Sequence, residues 1–347
     1  MASPTATSTN LLPPTASTAI ATLLARATDA LVQPPSSRLL NDPIAATTLA
    51  NLSLPPSEAS TNPSGRTRAF NQVVLLRARH LDFWTREFLA AHPQATVLHL
   101  ACGLDSRAWR VFSGGSEAAD LAEGPQNMNS ANTNANANAT SQGREEITMQ
   151  GDNLMNPPRQ VHWIDIDVPS ITTLRKDVLP TSPFPTTTIS SSSSSPNNYT
   201  YILLPHDVTS PGWLESLPTT HPTLVIMEGL LMYLSPAEAS TLVQRICSHF
   251  GDNGAGGQII CDVVGRRFLA TQKSVTPIAR TGAVMRFAAD AAGEVERMHE
   301  RLRVRDQVGM WERPGRELCD WYTRWSMWIW SWIPGVNTMG LDLRLDF

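Results

Sequence analysis

Short apolar runs alternate with longer amphipathic stretches along most of the chain. The apolar runs have the length of buried strands and cover residues 96–100, 161–166, 201–204, 224–227 and 258–264. Between them, apolar side chains recur at helical spacing in residues 68–91, 170–179 and 236–250. Strands that alternate with helices form a mostly parallel sheet, which binds ligands at the carboxyl ends of its strands. The pattern therefore predicts a Rossmann-like α/β fold.

Helices are also predicted ahead of the first strand. Residues 15–32 are rich in Ala and Leu and contain few helix breakers. Asp42 can cap a second helix whose first residue is Pro43. A third helix, residues 68–91, leads directly into the first strand. We expect these helices to form an N-terminal helical cap over one face or edge of the sheet.

Three segments have no periodic pattern. Residues 1–14 are rich in Ser, Thr and Pro, residues 114–158 contain an Asn/Ala/Thr repetition, and residues 181–198 include a serine run. Segments of this composition bury too little apolar surface to become ordered. We expect a disordered N-terminus and two low-complexity surface insertions in a single domain over residues 1–347, because long insertions add little loop entropy.

The last third of the chain gives four further predictions. Residues 213–217 and 283–305 are predicted to be helical, and the alternation in residues 341–347 predicts a last strand. Four tryptophans recur at helical spacing, namely Trp321, Trp325, Trp328 and Trp332. An aromatic core or packed cap is favoured for them over a surface that stacks on a ligand.

Composition and charge exclude several classes of protein. The net charge of -4, with no dense Lys/Arg block, argues against a nucleic-acid partner. The four cysteines have no paired short spacing, so we expect reduced thiols and no metal site. No segment reaches the roughly 18 apolar residues of a membrane span, and no signal peptide is recognisable at the N-terminus. We therefore expect a cytoplasmic protein with no membrane partner.

The turn after the first strand is the first candidate binding element. Ala101, Cys102 and Gly103 are small, so a ligand could approach the backbone closely. The helix that follows offers unpaired N–H groups to an anionic group. With one glycine the turn is a weak signal by itself, because many such turns bind nothing.

Acidic residues at the ends of the next strands strengthen this interpretation. Asp165 and Asp167 follow the second strand, Asp207 the third and Glu228 the fourth. An acid after the second strand can accept from both ribose hydroxyls, the next acid can bind an adenine amino group, and Glu228 can bind an ammonium. These three groups together are found in S-adenosylmethionine. Dinucleotides are disfavoured because the turn lacks the Gly-x-Gly-x-x-Gly pattern.

The ordered set of motifs resembles the leucine carboxyl methyltransferase family, which includes tetracenomycin-type polyketide O-methyltransferases. The matching stretches are residues 15–16, 25–27, 42–45, 77–82, 97–107, 164–169, 206–208 and 228–234, with Lys176. The resemblance implies a class I S-adenosylmethionine-dependent methyltransferase fold with S-adenosylmethionine as its cofactor. One departure is Ala101, where the family usually has glycine.

The resemblance also implies a role for each matching residue. The residues expected to bind the cofactor are Arg77 at its carboxylate, Ala101 and Gly103 at the methionine end, Asp167 with Asp165 at the ribose, Asp207 and Val208 at adenine, and Glu228 at the amino group. Tyr233 and Arg77 are expected to face the methyl acceptor as the catalytic pair.

The chemistry of methyl transfer leaves several acceptors open. An in-line displacement needs aligned reactants, and a carboxylate acceptor needs no base, whereas a phenol would benefit from one. His80 and His206 are favoured as structural residues over bases. The leading hypothesis is an O-methyltransferase acting on a carboxylate or phenol of a polyketide-like small molecule. The alternatives are methylation of the C-terminal leucine of a protein phosphatase subunit, and a non-catalytic binding protein; the oligomeric state stays open.

Overall fold

Seven strands form one continuous sheet in the computed structural model. They are β1 (Gln94–Leu100), β2 (Gln160–Asp167), β3 (Asn198–Pro205), β4 (Thr223–Met227), β5 (Gly257–Val264), β6 (Arg303–Gly309) and β7 (Gly340–Asp346). Their order across the sheet is β3-β2-β1-β4-β5-β7-β6. Strands β1 to β5 run parallel, and β7 is antiparallel to both of its neighbours. The predicted Rossmann-like α/β fold is therefore confirmed.

The helices lie on both faces of this sheet. They are α1 (Pro14–Ala30), α2 (Pro43–Asn51), α3 (Gly65–Ala91), α4 (Arg107–Phe112), α5 (Pro169–Val178), α6 (Pro236–Ile246), α7 (Arg266–Thr271), α8 (Ala292–Glu296) and α9 (Trp321–Ser331). Short 3₁₀ turns cover Pro35–Ser37, Leu231–Tyr233, Gln272–Ser274 and Arg316–Leu318, and a π-helical segment, Cys247–Asp252, extends α6.

The structure describes residues 14–32, 34–52, 54, 65–112, 159–184, 198–274 and 282–347. The predicted disordered N-terminus, residues 1–14, falls outside these ranges except for residue 14, where α1 begins. The predicted insertion at residues 114–158 lies outside them entirely, and of the one at residues 181–198 the described part is 181–184 and the start of β3. None of the described helices is long and apolar enough to cross a membrane.

Alternating side chains of the strands form a separate core on each face. Val97 and Trp163 point to the face covered by α1 to α5, where they pack with side chains such as Leu81 and Phe88. Leu98 and its neighbours pack on the other face with the apolar side of α6. The two-residue period of a strand explains why consecutive residues enter different cores. The N-terminal helical cap is thus confirmed, and it covers one face of the sheet.

Local sequence signals determine where two of the helices begin. Asp42 accepts a hydrogen bond from the Ala45 backbone N–H at 3.1 Å, with Pro43 as the first helical residue of α2. Ser235 and Glu238 form a reciprocal capping box at the start of α6. Both starts agree with the capping preferences of these residue types.

Two predicted helices are wrong. Residues 213–217 form bends and turns, because Gly212 enters the segment in a left-handed conformation with φ of 97° and the Trp213 indole donates to the Val208 carbonyl at 3.1 Å. Residues 283–305 are helical only over Ala292–Glu296. The preceding backbone is extended, since its N–H groups bind the carbonyls of Met232 and Val264.

The C-terminal segments give one confirmation and one correction. The predicted last strand is β7, and β6, which the sequence pattern missed, is its neighbour at the sheet edge. The tryptophan-rich segment is the helix α9, as its spacing predicts. Its tryptophans do not form a buried core, because Trp321, Trp325, Trp328 and Trp332 are 56–75% exposed.

A buried ionic cluster joins the N-terminal helices to the turn after β1. Arg110 of α4 donates hydrogen bonds to Asp42 at 2.8 Å, Asp82 at 2.7 Å and Asp105 at 2.6 Å. Arg26 of α1 contacts Asp105 at 3.1 Å. Burial acts to raise the pKa of Asp105, but Arg110, Arg26 and Arg107 outweigh it and hold the pKa well below its ordinary value. The Asp105 carboxyl is therefore ionised at neutral pH.

We expect this cluster to make folding sensitive to acid. The unfolded Asp105 carboxyl protonates near its ordinary pKa of 3.8, whereas the folded one stays ionised to lower pH. Asp105 therefore contributes stability above pH 3.8 that is lost as the pH falls through the folded pKa. Urea unfolding at a series of pH values should show a falling free energy of unfolding on acidification, with a shallower fall in Asp105→Asn. An equally steep fall in that variant would contradict the role of Asp105.

Candidate functional site

A cavity of about 530 Å³ opens at the carboxyl ends of the parallel strands. Its walls come from the ends of β1, β2, β4 and β5, from α1 and α3, and from the segment before α8. It is therefore at the edge of the sheet where the alternating pattern predicts a ligand. Of the expected site residues, those that line it are Arg77, Ala101, Gly103, Asp167, Asp207, Val208, Glu228 and Tyr233.

The turn after β1 brings bare backbone to the cavity wall. Ala101 and Gly103 both have left-handed backbone conformations, with φ of 49° and 54°. A Cβ at Gly103 would lie 3.2 Å from the Ala19 side chain, so this position also needs a small residue. Arg175 of α5 holds the turn from behind by donating to the carbonyls of Gly103 at 2.7 Å and Asp105 at 2.8 Å. The turn is thus held by side chains of the protein itself.

Asp167 is the acid at the end of β2 that reaches the cavity. Its two carboxylate oxygens accept the backbone N–H groups of Gly103 at 2.7 Å and Val168 at 2.8 Å. Burial raises its pKa above the ordinary value, although these two hydrogen bonds oppose the shift. Each carboxylate oxygen can accept a second hydrogen bond. Asp167 can therefore bind a ligand hydroxyl while it stays attached to the turn.

Asp165 does not line the cavity, in contrast to its predicted position beside Asp167. It is buried within β2, two residues before the end of the strand, and forms an ion pair with Arg175. Its oxygens also accept from the Tyr201 hydroxyl and the Trp163 indole, both at 2.7 Å. Burial would raise its pKa, but Arg175, His99 and the Tyr201 hydroxyl hold the pKa below its ordinary value. Asp165 therefore positions Arg175, and Arg175 holds the backbone turn after β1.

Glu228, at the end of β4, is held between two arginines. Arg77 of α3 contacts one of its oxygens at 2.9 Å, and Arg107 of α4 binds the other. Burial would raise the Glu228 pKa, but the two arginines outweigh it and hold the pKa below its ordinary value. Glu228 is therefore a carboxylate at neutral pH, at a point where Arg77 also faces the cavity.

Asp262 on β5 is a site residue that the sequence pattern did not identify. One of its oxygens accepts from Arg77 at 2.7 Å and the other from the Gly229 backbone N–H at 2.6 Å. Burial raises its pKa above the ordinary value, with Arg77 opposing the shift. The signal was an acid inside an apolar strand, since a buried charge needs a partner. Arg77 thus bridges two carboxylates, Glu228 and Asp262.

Asp207 and Val208 lie together after β3. Asp207 accepts from the backbone N–H and the hydroxyl of Thr209 at 2.9 and 2.8 Å. Val208 is 6% exposed and presents an apolar side chain to the cavity. His206 lines the same part of the wall. His80 does not, because it is buried against Asp342 at 3.0 Å.

One lobe of the cavity is apolar. Tyr233 lies at its edge, and other wall residues there pack in a hydrophobic cluster, among them Met232, Met285, Phe70 and Phe268. The sequence pattern gave no role to these four residues, because single apolar residues in separate segments carry no signal. Burial raises the pKa of Tyr233, so its phenol stays protonated at neutral pH. Tyr233 can therefore donate a hydrogen bond but does not serve as a base.

Metal binding has no support in the described ranges. They contain no group of three or more His, Cys, Asp or Glu side chains arranged to hold a metal ion. The cysteines, Cys102 among them, are free and buried.

Comparisons with known proteins identify the family to which the chain is similar. Residues 18–115 and 154–247 match the leucine carboxyl methyltransferase family. A polyketide O-methyltransferase of tetracenomycin synthesis, TcmP from Streptomyces glaucescens, is 29% identical over 243 residues, which are 70% of this chain and 66% of that protein, just under two thirds of its length. The S-adenosyl-L-methionine-dependent methyltransferase dpfgK from Gibberella zeae is 27% identical over 84% of this chain and 80% of its own.

Among solved structures, the N-methyltransferase NodS from Bradyrhizobium japonicum, crystallised with S-adenosyl-L-homocysteine, is 11% identical. The superposition covers 88% of this chain and 98% of NodS, with a TM-score of 0.36.

We expect the two small residues of the turn to respond differently to exchange. Gly103→Ala should lower the free energy of unfolding by about 1–2 kcal/mol, because it adds a Cβ to a left-handed backbone beside Ala19. Ala101→Gly should change it by less than about 0.5 kcal/mol, since relief at φ 49° is offset by a more flexible unfolded chain. Urea unfolding of both variants measures these free energies. Equal losses of stability would contradict the prediction that only Gly103 requires the absence of a Cβ.

Proposed function

We propose that this chain, which belongs to the leucine carboxyl methyltransferase family, is an S-adenosylmethionine-dependent O-methyltransferase that methylates a carboxylate or phenol of an apolar small molecule. One observation carries the proposal. The same cavity has paired charges and a small-residue turn at the strand ends, and an apolar lobe beside them. A methyl donor with a zwitterionic amino-acid end suits the charged wall and the turn, and an apolar acceptor suits the apolar lobe.

The charged wall fits the amino-acid end of the donor. Glu228 and Asp262 can accept from its ammonium, and Arg77 between them can bind its carboxylate. Arg77 lies between the two acids, so the ligand's carboxylate would face the arginine while its ammonium faces the acids, and each charge would have a neighbour of opposite sign. Arg107 stays bound to Glu228 from behind and keeps that carboxylate ionised.

The turn and the neighbouring strand ends fit the rest of the donor. Ala101 and Gly103 leave room for a chain to pass close to the backbone. Asp167 retains lone pairs for ribose hydroxyls. Val208 and Asp207 offer an apolar surface and an acceptor side by side, a combination that suits an adenine ring with its amino group.

The donor, when bound, supplies an electrophilic methyl group on a sulfonium. The residues of this chain then have to bind, orient and keep the site dry, since alignment accounts for much of the rate of an in-line displacement. Tyr233 can donate a hydrogen bond that orients an acceptor oxygen, and Met232 and Phe268 can exclude water. A carboxylate is already ionised at neutral pH and needs no base, whereas a phenol would benefit from one.

The acceptor class is inferred from the apolar lobe and from the relatives. Aromatic and methionine side chains at the wall favour a flat, apolar molecule. TcmP takes part in tetracenomycin polyketide synthesis, and a polyketide-like acid or phenol has these properties.

A methyl-transfer assay tests the function. The full chain would be incubated with methyl-labelled S-adenosylmethionine and aromatic acids or phenols of matched carbon frame, with a peptide ending in leucine as a separate arm. A labelled product that releases methanol in mild base is a carboxyl ester, whereas a phenol ether resists it. Label in either small-molecule class supports the proposal. Label in the peptide alone, or in no arm with a protein that binds the donor, overturns it.

The donor assignment is tested by titration calorimetry. Asp167→Ala and Glu228→Ala should each raise the Kd for S-adenosylmethionine by about tenfold or more, because each removes a charged hydrogen-bond acceptor. Glu215→Ala is the matched control, since this acid is exposed and away from the cavity. Circular dichroism establishes that each variant is folded. Unchanged affinity in both cavity variants would refute this placement of the donor.

A further inference from the structure

Helix α9 carries a stripe of exposed tryptophans that the proposed function does not use. The stripe consists of Trp321, Trp325 and Trp328 of α9 with Trp332, the residue that caps its C-terminus, and these are 72%, 56%, 60% and 75% exposed. At about 100° per residue these positions fall within about 60° of arc on one side of the helix. The opposite side is the buried one, with Thr323 and Met327 almost fully covered. The stripe is therefore a second apolar face on a helix that already has a packed one.

The spacing of the stripe is symmetric about its own centre. The intervals between the four tryptophans are four, three and four residues, so the order is the same when read from either end. Two such helices packed antiparallel about a two-fold axis would place Trp321 on the partner's Trp332 and Trp325 on the partner's Trp328. A self-complementary patch of this kind is what an isologous interface requires.

The area of the stripe is close to that of a stable interface. Taking about 250 Å² for a whole tryptophan, the exposed fractions leave roughly 650 Å² of accessible surface on the four side chains. A standard interface buries about 800 Å² on each partner. Tyr322 and Ile333 flank the stripe and are 41% and 40% exposed, so they can supply the difference.

The charges at the two ends of α9 are complementary. Residues 321–334 contain no acid and a single cation, Arg324. Asp320 caps the first turn of α9, and Arg267 lies at the other end, where it donates to the Pro334 carbonyl at 3.4 Å. An antiparallel pair brings the Arg267 end of one helix to the Asp320 end of the other, and it opposes the two helix dipoles.

We propose that α9 is the interface of a homodimer in which two copies of the chain pack their tryptophan stripes antiparallel about a two-fold axis. Arg267 of one copy lies near the partner's Asp320.

Sedimentation equilibrium of the full chain tests this. The wild type should fit a monomer–dimer equilibrium, and the double variant Trp325→Glu/Trp328→Glu should raise the dimer Kd by about a hundredfold or more, because it buries charges in an apolar contact. The neutral double variant Trp325→Gln/Trp328→Gln should give a smaller increase. Leu31→Glu, at a side chain that is 60% exposed and outside the stripe, is the control and should dimerise like the wild type.

Several results would overturn the proposal. A wild type that stays monomeric at every concentration would do so, as would a folded glutamate variant that dimerises as tightly as the wild type. Far-ultraviolet circular dichroism and donor binding show whether the variants are folded. Flotation with phosphatidylcholine–phosphatidylserine vesicles is run in parallel. Stripe-dependent vesicle binding by a monomer would assign the stripe to a lipid surface instead.

The orientation of the pair is tested by cross-linking. Trp321→Cys and Trp332→Cys chains are mixed and treated with a short bis-maleimide; all the free cysteines of the described ranges are buried. Antiparallel packing should cross-link position 321 of one chain to position 332 of the other in the mixture. Each variant alone should give little product, since equivalent positions lie about 16 Å apart along the axis. Efficient linkage within the single variants would indicate parallel packing and contradict the antiparallel arrangement.

Discussion

The cavity depends on buried arginines that hold the turn between β1 and α4. Arg175 and Arg26 bind the turn's carbonyls, and Arg110 binds the Asp105 carboxylate. Buried charges are tolerated only when they are paired and hydrogen-bonded, and each of these guanidinium groups has several partners. These contacts hold the left-handed backbone at Ala101 and Gly103 from within the protein, where it faces the cavity.

The parallel strands could be predicted because strands buried on both faces are almost continuously apolar. The same logic explains why β6 was missed. It is an edge strand with charged, largely exposed side chains, and its residues resemble a charged helix in sequence. The tryptophans of α9 were misjudged for a related reason. Aromatic side chains are usually buried, and nothing in the sequence distinguishes a face that packs within the chain from one that is left exposed.

Site residues could be predicted from the sequence where their position at the end of a strand is enough to place them at the cavity. Asp165 and Asp167 point to the same face of β2, but Asp165 lies two residues deeper, about 6.6 Å along the strand. There it meets Arg175, which comes from a helix later in the chain. Asp262 was not identified as a site residue, because its partner Arg77 lies far earlier in the sequence. Such pairings depend on tertiary packing, which strand and helix periodicity do not encode.

The acidic character of the cavity has a consequence for turnover. More acidic than basic side chains line the wall, with Asp167, Glu228 and Asp262 near the turn and Glu238 at the apolar lobe. Under the proposed function, the donor carries a positive charge at sulfur that disappears when the methyl group leaves. The field of these side chains acts on that charge, although the arginines paired with Glu228, Arg77 and Arg107, reduce it. The amino-acid and nucleoside ends are the same in the donor and in the thioether that remains, so the spent product would keep most of the donor's contacts and compete with fresh donor for the cavity.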